Sequence, residues 1–251
     1  MKKKKKKKKI TNPKMQENTP KKKDNGLNNL IINIILPAIL LMKGAKWAEK
    51  LGLQLTSVHI LLIALALPVG YGLYDLLIKK EKNFVSVLGF VSILLTGIVG
   101  VFELPTEFIA IKEAAIPFII GCVLLISNYT SYPLAPKFLY NDDIFNKKVI
   151  NAHLNDAEEL QLKKNIKKAS FYLFLSFILS AILNYAVAKY FVTSPAGSEA
   201  FNNEMGKMSL YSYPIIVVPS MLIMIAIIRY IYMSIKKLTG LTSDEIFMFN
   251  Q

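Results

Sequence analysis

The sequence predicts an all-α fold: a polytopic transmembrane helical bundle of about six spans, N-in and C-in, with a disordered lysine-rich N-terminal tail. Three observations carry this reading. Six long apolar stretches run through the chain. Of its 251 residues, 53% are hydrophobic and only 19% charged. The basic residues gather in the tail and in alternate loops. Soluble domains are ordinarily about a quarter charged, so a cytosolic enzyme is disfavoured at once.

The tail comes first, as residues 1–25, ahead of a membrane domain over 26–251. Twelve of the 31 Lys and Arg residues lie in 1–23 beside one acid, Glu17. The rest of the chain carries 19 basic and 16 acidic side chains. The net charge of +14 therefore belongs to the tail, not to a folded basic face, and nucleic acid is not expected as a partner. Asn12-Pro13 and Asp24-Asn25-Gly26 interrupt any regular element, so the tail should be disordered. It is not a secretory signal, because the first apolar stretch begins only at Leu27, far beyond the Lys2–Lys9 run. Two roles stay open. The tail binds anionic lipid headgroups at about 1 kcal/mol per basic residue, or it only retains the N-terminus inside.

The apolar stretches are Leu27–Met42, Leu55–Ile78, Phe84–Leu104, Phe108–Ser127, Ala169–Val192 and Leu210–Met233. At about 1.5 Å per residue, about 20 residues cross a hydrocarbon layer about 30 Å thick. The first stretch is short of this. It reaches spanning length by continuing to Ala48 with Lys43 and Lys46 snorkelling, and a re-entrant segment is the alternative. With six spans and a cytoplasmic N-terminus, 25 of the 31 basic residues fall inside; without the tail the split is 13 against 6.

The cytoplasmic loop 128–168 is the largest polar segment. Prolines at 133 and 136 break its start, and Asn141-Asp142-Asp143 offers a helix beginning. Ile144, Phe145, Val149, Ile150, Leu154, Leu160 and Leu162 then alternate with charges, as in an interfacial amphipathic helix with a break near Asn155. A loop this short cannot hold a catalytic domain of its own.

Ionisable and amide groups inside spans are costly, so each is a candidate site residue. Lys112, Glu113 and Asn184 fall at similar depth in the outer leaflet, with His59 near the outer end of the second span and Asp75 at its cytoplasmic end. Neighbouring residues on a helix point about 100° apart, so Lys112 and Glu113 should not face the same partner. Two readings are open. Glu113 and Asn184, with Lys112 or His59, line a polar pocket, or these groups hydrogen-bond helix to helix at roughly 0.6 kcal/mol each. Small residues mark helix contacts: Gly89, Ser92, Thr96 and Gly100 in the third span, Ser176 and Ser180 before Asn184 in the fifth, Ala64, Pro68 and Gly72 in the second. They fit tight packing, including a homo-oligomer. Pro37, Pro68, Pro117, Pro214 and Pro219 kink four spans. With one cysteine, two histidines and no phosphate loop or nucleophile motif, no metal, cofactor or catalytic residue is expected, and hence no enzyme.

Several stretches resemble the intracellular septation protein A family and its bacterial relatives. They are Asn33–Pro37, Ala64–Asp75, Asn83–Gly89, Ile111–Pro117, Leu183-Asn184-Tyr185, and Phe191–Phe201 followed by Pro214. The resemblance runs over about Asn28–Leu238. It implies a small multi-pass protein of the bacterial inner membrane with a non-enzymatic role in cell-envelope maintenance, acting through lipids or through envelope and division proteins. The septation proteins themselves look five-spanning and lack the lysine tail. Some relatives carry transporter labels, so a small-solute secondary transporter with a polar site between spans four and five is the alternative.

Overall fold

The computed structural model describes residues 31–78 and 84–248, with side-chain surroundings for all but 75–78 and 84–90. The expectations for the tail, for Leu27–Leu30 and for the basic loop at Lys79, Lys80 and Lys82 lie outside the described residues. So do those for the side chains of Asp75 and Gly89. The described residues are helical, without a strand. A π-helical turn, Ile31–Ile35, leads into α1 (Leu36–Lys50); α2 (Ser57–Ile78), α3 (Phe84–Val101) and α4 (Glu107–Ser127) follow. Two short helices, α5 (Leu134–Leu139) and α6 (Lys147–Ala152), precede the long α7 (Asp156–Phe191). Then come α8 (Glu199–Ser212), a second π turn (Tyr213–Val217), α9 (Val218–Thr239) and the single turn α10 (Ser243–Ile246).

Among the described residues, five helices are long and apolar enough to cross a membrane: Ile31–Lys50, Ser57–Tyr74, Glu107–Ser127, Asp156–Phe191 and Glu199–Thr239. Within α3 the apolar helix that qualifies is shorter, Val91–Val101. The first stretch does continue through Lys43 to Lys50. Lys43 and Lys46 are exposed while Ala48 is buried, so one helix face carries the ammonium groups outward. The third stretch stops at Val101 rather than Leu104. Pro105 disfavours helical backbone just before it, and Glu103 turns the chain with a φ of 50°.

Two boundaries differ more. The break near Asn155 is present and has a clear cause. The Asn155 side chain accepts the Glu158 N–H at 3.0 Å, and the Glu158 carboxylate accepts the Asn155 N–H at 2.9 Å, a reciprocal cap. From there the expected interfacial helix and the fifth span are one helix of 36 residues, about 54 Å long. The last span likewise begins at Glu199, not Leu210. Both helices outrun an apolar layer about 30 Å thick.

Their surplus length builds two separate cores. At the end of the bundle holding the α1–α2, α3–α4 and α7–α8 connections (the first end), Leu61, Ala64, Val99, Ile109, Ala188, Phe201 and Met205 pack together. The Glu204 carboxylate fixes the α7–α8 turn, accepting the N–H groups of Thr193 and Ser194 at 2.9 and 2.8 Å and both hydroxyls. Asn202 donates to the Ser57 carbonyl at 2.7 Å and ties α8 to the start of α2. Gly206 lets α8 lie against α1: a Cβ there would stand 2.7 Å from the Ala38 carbonyl oxygen, a backbone atom that cannot swing away.

The second end corrects the loop expectation. The stretch from Asn141 to the Asn155 break is not an interfacial surface helix: only Lys147–Ala152 is helical, and Phe145 and Ile150 are buried. Ala135, Leu139, Phe145 and Ile150 are at most 1% exposed, packed on Leu162, Ile166, Ile231, Ile235 and Ile246. The chain returns there because Gly240, at φ +71°, ends α9 in the left-handed conformation and its N–H reaches the Lys236 carbonyl. The Asn146 N–H then donates to the Ile246 carbonyl at 2.8 Å and the Met248 N–H to the Ile144 carbonyl at 3.1 Å. Phe145 stacks on Phe247 at 5.5 Å and tilts against Tyr140 at 5.4 Å. Burial, with the Asp142 charge nearby, pushes the Tyr140 hydroxyl up to about 12. The C-terminal turn is part of this core.

Candidate functional site

Beside the first core, whose Leu41, Met205 and Met208 form part of its wall, six helical segments leave a cavity of about 370 Å³ with polar and apolar side chains on its walls. α4 supplies its charges. Lys112 is only 7% exposed, and its Nζ donates to Glu113 Oε1 at 2.5 Å and to Ser92 Oγ on α3 at 3.4 Å. Among the described residues, no third side chain pairs with both Lys112 and Glu113. Their Cα–Cβ vectors diverge, but the four-carbon lysine stem is long enough to bend back over the adjacent carboxylate. They are each other's partner, and both line the cavity.

Asn184 joins them from α7, as expected. Its amide does not reach across to a neighbour: Nδ2 donates to the Ser180 carbonyl at 2.7 Å and to Ser180 Oγ at 3.3 Å, one turn back on its own helix. Thr96 behaves the same way, donating to the Ser92 carbonyl at 3.1 Å. The amide and hydroxyl donors of Asn184 and Thr96 are thus satisfied locally while their side chains face a void. Lys112 to Ser92 is the contact in this group that does cross between helices.

His59 is not part of the site. It is exposed in the first turn of α2, where its Nδ1 accepts the Thr56 N–H at 3.2 Å and bonds Thr56 Oγ1 at 2.7 Å. A polar ring at the helix start serves the free N–H groups there instead of a partner deep in the bundle. Asp75 stands two turns beyond Pro68 towards the second end of α2, and its side chain lies outside the described residues. Ala64 and Pro68 are buried as the small-residue stripe required, whereas Gly72 borders open space.

Two wall segments went unseen in the sequence. Asn33 and Ile34, on the first π turn, and Tyr213, Ile216 and Val217, on or beside the second, line the cavity together with Ser209 and Ser212. One physical cause produces both turns. Each ends two residues before a proline, Pro37 or Pro219, which sits at the second position of the following α-helix. A proline ring clashes with the carbonyl four residues back, here Asn33 or Ile215, and offers no N–H to it. The ladder widens to i→i+5 over that turn. The recurrence of Ile-Ile-Leu-Pro as Ile-Val-Val-Pro was the available signal. Ser209 fell just outside the expected last span, Leu210–Met233, and Ser212 within its first turn, where a lone hydroxyl gives no signal.

Chemically the site offers one ammonium, one carboxylate, hydroxyls and amides around a space of small-molecule size. Its formal charge is zero. Among the described residues, no three His, Cys, Asp or Glu side chains are grouped as a metal site would need. Fold and cavity together define the class: among the described residues, an all-helical fold with five membrane-length helices and a cavity that holds the Lys112–Glu113 pair. No family model, curated protein or solved structure matches this chain.

Proposed function

We propose that this chain is a six-span membrane protein, both termini cytoplasmic, that binds a small polar solute in the α4-centred cavity and carries it across the bilayer. The observation that carries the reading is the meeting of a buried Lys112, paired with the half-buried Glu113, and two π-broken helices at one cavity. Burying a lysine in a membrane helix costs about 2.5–3.5 kcal/mol on insertion scales, so such groups persist where they act. Interrupted helices crossing at a polar midplane site are how many secondary transporters present backbone to a solute. In this orientation the second end faces the cytoplasm with its lysines, in keeping with the positive-inside bias. Reporter fusions after Ser198 should read external and fusions within 142–148 cytoplasmic; the reverse at either point would sink the six-span arrangement.

A second reading keeps the envelope role. The stretches that resemble the septation protein A family contribute Asn33, Pro37, Pro68, Lys112, Glu113 and Asn184 to the same cavity. In that reading the chamber holds a lipid or partner group, and nothing crosses.

Glu113→Gln separates these from a purely packing role. The amide still accepts from Lys112, so the protein should insert and accumulate. Uptake into proteoliposomes, screened with labelled amino acids, sugars and quaternary amines, should fall by at least about tenfold. Ser212→Cys, in a chain with Cys122→Ser, should react with a small water-soluble thiol reagent. A cysteine unreactive from both sides, with Glu113→Gln fully active in complementation, would leave the cavity as packing alone.

A further inference from the structure

A different feature lies on the lipid-facing side, between α7 and α9. Leu175, Leu179, Ile223, Ala226 and Ile227 line an apolar groove of about 450 Å³, closed towards the second end by Tyr172 and Tyr230. Tyr230 is also a wall of the next cavity, about 460 Å³, where Lys236 and Lys237 stand exposed around the Asn165–Ser234 hydrogen bond of 2.6 Å. The two tyrosines meet edge to face at 5.8 Å, and the Lys168 ammonium lies over the Tyr172 ring at 5.9 Å. Two spaces that share Tyr230 therefore form a path from hydrocarbon-like walls, past the tyrosine pair, to Lys236 and Lys237, with Lys168 over the Tyr172 ring.

We infer that this path is a binding site for one anionic phospholipid, with an acyl chain between α7 and α9 and the phosphate at Lys168, Lys236 and Lys237. The dimensions suit it. From Ile223 to Lys237 is 14 residues along α9, about 21 Å. Half a bilayer with its headgroup region is about 20–22 Å. The order of chemistry also suits it: Tyr at the interface, lysine beyond, apolar surface below. Charge selects the occupant. A second copy of this chain would bring its own Lys168, Lys236 and Lys237 against these, and a zwitterionic headgroup adds a cation beside them. An anionic headgroup is complementary. Asn165 and Ser234, bonded across the helices, fix the spacing of the two walls where the phosphate sits.

Native mass spectrometry of the full-length protein, with phosphatidylglycerol or phosphatidylcholine added at equal concentration, tests this. Phosphatidylglycerol should be retained over phosphatidylcholine by at least about tenfold. Lys236→Gln/Lys237→Gln should abolish that preference, whereas the charge-matched pair Lys148→Gln/Lys163→Gln, exposed elsewhere, should keep it. Ala226→Phe fills the apolar part and should displace the lipid with the melting temperature in detergent unchanged; Ser176→Leu does the same from the opposite wall should the first variant not fold. Equal retention of both lipids would overturn the site. Equal loss in the control pair would overturn it in favour of diffuse surface charge. Displacement by millimolar glycerol phosphate would make it a soluble-anion site instead.

Discussion

Glu113→Leu is expected to lower the stability of the detergent-solubilised protein by about 3–5 kcal/mol, and Lys112→Met by somewhat less. Removing one member of a buried pair leaves the other without compensation, and the two members are not equally buried. Lys112 is 7% exposed and Glu113 25%. A stranded Lys112 is held away from water, with Ser92 Oγ at 3.4 Å as its remaining partner. A stranded Glu113 has more access to the cavity, so its loss of partner costs less. The double variant Lys112→Met/Glu113→Leu should recover most of the deficit, because two apolar chains of similar volume need no compensation. Thermal melts and a double-mutant cycle measure all three. Its coupling energy should be several kcal/mol; near-additive single effects would mean a water-filled pair that contributes nothing. Under the proposed function the double variant has a further signature: stable, well inserted and unable to bind solute.

The pair itself was legible because a charge inside an apolar helix has few innocent explanations. Glu113 and Asn184 fell on neighbouring helices at similar depth, and the structure does bring them to one cavity. Their partners were less legible. Lys112 and Glu113 were separated on helical-wheel geometry, which treats side chains as short spokes; a lysine stem spans more than the 100° between neighbours. His59 was drawn into the site because hydropathy says how deep a residue lies but not which way it faces. The π turns show a further limit. Each proline was visible as a kink, but the response of the ladder, one widened turn instead of a bend, depends on what packs around it. Only the fold reveals that both widened turns face the same space. The helix ends were blurred for a simpler reason: hydropathy falls off where α7 and α8 leave the apolar layer, while their hydrogen-bond ladders run on to the Asn155 and Ser198 caps. The same blindness hid the second core. Its apolar residues are spread over five helices and the connections between them, and the C-terminal turn that closes it is too short to carry a periodicity.

Phe145→Ala should expose how independent that second core is. Phe145 is fully buried, with Tyr140 and Phe247 against its ring and Ile150 and Ile246 in the same cluster. Truncating a buried phenylalanine costs about 3–5 kcal/mol through lost burial and the cavity left behind. The expected result is local: the segment 128–155 and the C-terminal turn open at lower temperature, and limited proteolysis cuts first after Lys137, Lys147 and Lys148. The single tryptophan provides the control. Trp47 lies on α1 towards the first end, away from this cluster, so its emission should keep the wild-type melting profile while the cleavage midpoint drops. Ile246→Ala, acting from α10, should repeat the pattern more weakly. If Trp47 emission instead shifts together with cleavage, the two cores unfold as one and α7 transmits the damage along its length. Unchanged protease resistance would show that residues 128–155 are not packed on the C-terminal turn at all. A separable second core has a consequence for the chamber: α7 carries Asn184 at one end and the second core at the other, so the core can be lost without moving the Lys112–Glu113 site. Solute binding by Phe145→Ala below its cleavage midpoint should therefore match that of the wild type.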